Sequence, residues 1–227
     1  YTTEQMDLIC SIAYVVHEEI LPSYRNAKVK DMLGLSNKHV TLDQATQQLK
    51  RLTEIKELDK LKAYEFERVQ KSFFAVYAHF ETSLKQPQML LPGTVVDLSN
   101  MPCILNGRDI VRPRQCAFSF AEGRSCRPYF FQIDPNLQLR YSTFLSAIGV
   151  PAKVSPYDII DALENIAVTN EKNTLSGGHL NTAIQLAQIL AQHTLEKNHK
   201  AIYIPDQDGR MKKATDLCYN TSPWMKI

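Results

Sequence analysis

Five arginines crowd one stretch of this sequence: Arg108, Arg112, Arg114, Arg124 and Arg127, with only Asp109 and Glu122 against them. Phe118, Phe120, Tyr129 and Phe130 stand among them. Guanidinium groups pair with phosphates and aromatic rings stack on bases, so this mixture has the chemistry to hold a phosphate or a single-stranded nucleic acid. Arg210, Lys212 and Lys213 form a smaller basic group near the end. The whole chain carries a net charge of only +2, however. The simpler reading pairs these arginines with acidic faces of packed helices or neighbouring domains, and nucleic acid stays the alternative.

Other chemistry is harder to assemble. Asp206-x-Asp208-Gly209 has the look of a calcium loop, but with Gly209 as the loop's glycine the first ligand is Ile204 and the last is Thr215, which has no carboxylate. The same residues fit a turn: Pro205 sets φ, Asp206 accepts local N–H bonds, and Gly209 takes positive φ. The six histidines form no HExxH or HxH pair, so zinc is not expected. His179 follows Gly177-Gly178 at a helix start and reads as an ordinary first-turn residue. No GxGxxG, no GxxxxGK[ST] and no GxSxG occurs, which leaves no phosphate cradle and no nucleophile elbow. No catalytic, cofactor or metal residue is expected.

The elements that position these residues are mostly helical. Thr2 with Gln5, and Thr41 with Gln44, are capping boxes opening helices to about Glu19 and Ile55. A short helix over 27–33 stops at Gly34. A long helix is expected from Glu57 to Leu84, its stripe including Phe66, Phe73, Tyr77 and Phe80. Pro87, Pro92 and Gly93 punctuate a linker. Asp134-Pro135 and Ser155-Pro156 each supply an N-cap followed by Pro at the first helical position, and Gly149 ends the first of these helices. A last helix is expected from Gly178 to Lys197. Two β-hairpins complete the pattern, one turning at Asn106-Gly107 and one at Gly209. The fold class is mainly α with small hairpins, helical groups clasped by two β units. The expected division is a helical part, 1–88, and an α+β part, 89–227. Gly107, Gly209 and the lone Trp224 are the clasp residues, and Trp224 is expected to anchor by burying its ring.

At 44% hydrophobic and 22% charged, the chain has the composition of a soluble globular protein. Its five cysteines are scattered without CxxC, which points to a reducing setting and away from disulfides or zinc. Its longest apolar run is far short of a membrane span. It opens at Tyr1 and closes on "PWMKI", which reads as a piece of a longer polypeptide.

The two hairpins carry a resemblance. "IYIPDQDGRMKKATDLCYNTSPW" resembles the recurring element of the sacsin family: a strand, P-x-x-D-G, a small residue, then L-x-Y-N/D-x-x-P-W. "MPCILNGRDIVRPRQCAFSF", "RPYFFQI" and "FLSAIGV" resemble the upstream part of the same internal repeat. The resemblance covers roughly 90–224. Thr221 and Lys213 depart from it, standing where an acidic residue and a Pro are usual. It implies a very large, mainly cytoplasmic parent linked to the Hsp70 system and to protein quality control. In that parent each repeat opens with a GHKL-type, Hsp90-like nucleotide module, whose glycines this stretch lacks. The J-domain HPD tripeptide is absent as well. The implied role is a non-catalytic structural and interaction module downstream of the nucleotide module. Its implied partners are neighbouring domains of the parent, client proteins or chaperones.

Overall fold

The computed structural model describes residues 6–11, 40–85, 92–120, 126–170, 173–194 and 200–218. Its helices are α1 (Met6–Ile9), α2 (Leu42–Thr53), α3 (Ala63–Lys85), α4 (Pro92–Asn100), α5 (Pro135–Ala147), α6 (Pro156–Thr169) and α7 (Gly177–Leu190). Its strands are β1 (Ile104–Asn106), β2 (Asp109–Val111), β3 (Cys116–Ala117), β4 (Phe131–Gln132), β5 (Tyr203–Pro205) and β6 (Met211–Lys213). This is the mainly α architecture with small β units that the pattern of caps and stripes implies. β1–β2 and β5–β6 are antiparallel hairpins, with Leu105 opposite Ile110 and Ile204 opposite Lys212.

Local chemistry explains most boundaries. Thr41 Oγ1 accepts from Gln44 N at 3.2 Å, and Gln44 Oε1 accepts from Thr41 N at 3.1 Å, closing the capping box of α2. Asp134 Oδ1 accepts from Asn136 N at 2.8 Å, Ser155 Oγ accepts from Tyr157 N at 3.2 Å, and each is followed by Pro. Gly149 ends α5 with φ +94°, where a side chain is strained.

Three boundaries differ from the sequence reading. The long helix starts at Ala63, not Glu57, because Glu57 sits in the left-handed region (φ 60°) and a 3-10 turn, Leu58–Lys60, intervenes. The Pro92-Gly93 punctuation proves to be the first turn of α4, where a missing N–H costs nothing. α7 ends at Leu190, where Gln192 N and His193 N each bond three residues back and tighten the last turn. The expected capping box at Thr2, the helix ending at Gly34 and Trp224 lie outside the described residues.

The chain forms two compact units: Tyr1–Phe118 with Ile133–Pro151, and Ser119–Gln132 with Ala152–Ile227. The first unit includes the first hairpin, to which Tyr77 of α3 and Asp134, just before α5, both bond. In the first unit Phe73, Tyr77 and Phe80 of the expected stripe are buried, with Val76 beside them, whereas Phe66, Val69 and Leu84 are half-buried. Phe80 stacks on Phe144 of α5, with centroids 5.0 Å apart and planes 6° from parallel. In the second unit Ile159, Leu163 and Ile166 of α6 are buried with Ala183, Leu186 and Leu190 of α7.

Candidate functional site

The first hairpin turns at Gly107-Arg108, one residue later than the Asn-Gly reading. Asn106 pairs with Asp109 as the last strand residue, and only Gly107 has positive φ (+68°). Gly in the first loop position suits a II′ turn, whereas the expected I′ turn needs positive φ at both. The shift releases the Asn106 side chain, whose Oδ1 accepts from Asp134 N at 3.2 Å. It also aims Arg108 at the segment before α3. Arg108 Nη1 lies 2.8 Å from Leu58 O and 3.1 Å from Asp59 O and Leu61 O, and its guanidinium carbon is 4.6 Å from the Phe66 ring centre. A cation over the carbonyls at the end of a helical turn meets acceptors that the turn leaves only partly used.

The other arginines are placed differently. Arg112 precedes a 3-10 turn, Pro113–Gln115, Arg114 lies within it, and both are exposed. Arg127 belongs to the second unit, 5.2 Å over the Phe131 ring. Arg124 lies outside the described residues. Arg108 thus sits among carbonyls and an aromatic ring, not in a cluster of cations.

Beneath the hairpin, Tyr77 performs a task that its stripe position did not reveal. It is fully buried. Its hydroxyl donates to Cys103 O at 2.7 Å and accepts from Leu105 N at 2.9 Å, so one phenol satisfies two strand groups. Burial above all, then the nearby Cys103 thiol, pushes its ionisation far above the usual tyrosine range. Burial likewise pushes the Cys116 thiol up to about 12 and raises Cys103 and Cys126, so none of these thiols supplies a thiolate near neutrality. His79 is held low, by burial against a bond to the Val40 backbone, and is neutral at pH 7.

A second buried polar group sits one turn further along α3. Inside α5, Tyr141 leaves helical geometry (φ −132°, ψ 28°). The Phe144 amide turns away from the helical ladder and donates to Glu81 Oε2 at 2.7 Å. Thr143 also bonds to this carboxylate, and Lys85 Nζ is 3.1 Å from its other oxygen. Burial alone would raise the Glu81 carboxyl; the Phe144 amide, Thr143 and Lys85 outweigh it and hold the carboxyl below its ordinary value. The kink has a named cause: an acidic side chain from α3 inserted into the ladder of α5.

The second hairpin is held mainly through its backbone. Asp206 Oδ1 accepts from Asp208 N and Arg210 N, both at 2.9 Å, which engages the oxygen that the calcium reading needed. Gly209 has φ +75°, is buried, and its carbonyl accepts from Leu175 N at 2.9 Å. Among the described residues no group of His, Cys, Asp or Glu is placed to hold a metal, and no helix is long and apolar enough to cross a membrane.

Comparison with known proteins gives one informative match. Human sacsin is 25% identical over 240 aligned residues, covering the whole of this chain. The chain is similar to sacsin. That is the likeness carried by the two hairpin motifs, and the alignment extends it to the N-terminal helices. The chain spans 5% of the length of human sacsin, so it corresponds to a small part of such a protein. No family model and no solved structure matches.

Proposed function

We propose that this chain is a non-catalytic structural and interaction module of a sacsin-like, Hsp70-linked co-chaperone acting in cytoplasmic protein quality control. The observation that supports it most is where the reactive side chains go. Tyr77, Glu81, Asn106 and Arg108 all direct their polar atoms at the backbone of a neighbouring element. Such groups hold a surface in shape; they are not poised for acid–base or nucleophilic work. The surface is then the working part, offered to client chains or to neighbouring domains. The test is suppression of thermal aggregation. An aggregation-prone client is heated with an equimolar amount of the chain, and light scattering is followed. Delayed or reduced scattering is expected; scattering identical to that with serum albumin removes the client-contact reading. The competing phosphate reading would rest on exposed Arg112 and Arg114, since Arg108 is engaged, and salt-sensitive RNA binding would support it.

A further inference from the structure

The kinked helix α5 forms one wall of a cleft of about 180 Å³ in the first unit. Its floor is apolar: Phe74 from α3, Leu105 from β1, and Leu137 with Tyr141 from α5. Its rim is polar and unengaged. The side chains of Gln70, Asn136 and Arg140 have no hydrogen bond or ion pair among the described residues. Tyr141 is 7% exposed, yet its hydroxyl also lacks a partner. The one sealed side-chain nitrogen or oxygen without a partner among the described residues is His79 Nε2, so the Tyr141 oxygen is not closed into the core. It belongs to a side chain that lines the cleft. There the hydroxyl can donate to, or accept from, whatever occupies the cleft.

Backbone irregularity coincides with this site. Tyr141 is the non-helical residue of α5, and Glu81 holds that geometry from behind through the Phe144 amide. Backbone irregularities cluster at functional sites; here the released Phe144 amide is taken by Glu81, and the irregularity sets Tyr141 on the cleft wall.

From this arrangement we infer that the cleft binds an extended peptide segment in which a large apolar residue stands next to an acidic one. The volume and the apolar floor suit one aliphatic side chain. The Gln70 and Asn136 amides each offer a donor and an acceptor, the pair a peptide bond requires. The Arg140 fork matches a carboxylate. Gly107 at the mouth has no side chain, and nothing lies within 4 Å of where a Cβ would stand, so a passing backbone meets no obstruction there. Asp134, also on the rim, repels a second carboxylate and so fixes which way the acidic residue points. The inference names a partner class for the contact role proposed above and rests on it.

The test uses the full 227-residue chain and a fluorescein-labelled flexible peptide carrying one Leu-Glu pair, with Leu-Lys and Ser-Glu versions as controls. Anisotropy titrations are expected to show Leu-Glu binding at least tenfold tighter than either control. Arg140→Glu should abolish that preference, and Tyr141→Phe should weaken binding severalfold. Arg140 is exposed, so its variant is expected to keep the native melting temperature. Equal affinity for the three peptides, no binding at millimolar concentration, or an unchanged Leu-Glu preference in Arg140→Glu overturns the inference. The aggregation assay run on Arg140→Glu separates the two readings. Client protection that survives while peptide binding never existed sinks the cleft alone. Peptide binding without any client protection sinks the client role and leaves the cleft standing.

Discussion

Replacing Glu81 is the sharpest probe of how the first unit is built. Its side chain is 8% exposed and meets the Phe144 amide at 2.7 Å. Glu81→Ala leaves that amide without its acceptor in a buried place, while the exposed Thr143 hydroxyl returns to water. An unsatisfied buried group costs about 1–3 kcal/mol, so the expected loss is about 2 kcal/mol. Lys85, with its side chain 65% exposed, returns to water and adds little. Glu81→Gln keeps an oxygen in place but loses the charge; charge-assisted bonds are about twice as strong as neutral ones, so about 1 kcal/mol is expected. Urea unfolding followed by helical circular dichroism measures both. The pH dependence has a definite sign. The folded carboxyl lies below its ordinary value of 4.5, so its contribution is fully present above pH 4.5 and fades as pH falls through the folded value. The gap between wild type and Glu81→Gln should therefore shrink in acid. A loss below about 0.5 kcal/mol in Glu81→Ala, or a gap that widens in acid, refutes the reasoning. The second result would mean that burial, not the Phe144 amide, dominates.

Other expectations concern the hairpins and the thiols. Tyr77→Phe removes the partner of both Cys103 O and Leu105 N and should cost about 2–4 kcal/mol by the same denaturation measurement. Gly209→Ala should lower the melting temperature more than Gly107→Ala. Both have positive φ, worth about 1–2 kcal/mol to an L-residue, but only at Gly209 does a new Cβ meet a neighbour, Thr174 Cγ2 at 3.2 Å. Under native conditions a thiol reagent should modify Cys10 and Cys218, which are exposed, and spare Cys103, Cys116 and Cys126 until urea is added. Peptide mapping by mass spectrometry identifies the labelled sites.

Elements written by short-range chemistry were legible. Capping boxes and N-cap-Pro pairs state a helix start in four residues, and the Asp206 turn states its own bonds. The stripe Phe73, Tyr77 and Phe80 was legible as core because three- and four-residue spacing is a one-dimensional signal. What Tyr77 and Glu81 bond to was not. Their partners, Leu105 and Phe144, lie 28 and 63 residues away, and no local pattern encodes such pairings. A Tyr in an apolar stripe and a Glu on the buried side of a long helix are the available signals: each is a polar group that must find a partner if its stripe is core. Arg108 was legible as a cation, but not as a cap. Its partners are the carbonyls of a turn that exists only because Glu57 adopts positive φ.

The two hairpins share a glycine of positive φ followed by arginine, and they use that pair differently. In the first, the arginine reaches across to Leu58, Asp59 and Leu61, and Asn106 and Tyr77 add side-chain bonds. In the second, Arg210 takes part through its backbone, donating to Asp206 and accepting from it, while Gly209 is itself the buried contact. The common residues therefore specify turn geometry only. The anchoring role falls to side chains where the glycine faces open space, and to the backbone where it is packed. Substitution tests the distinction directly: Arg108→Ala should destabilise the first unit by about 1–2 kcal/mol through its lost carbonyl bonds, whereas Arg210→Ala, which keeps every backbone bond, should change stability by less than about 0.5 kcal/mol.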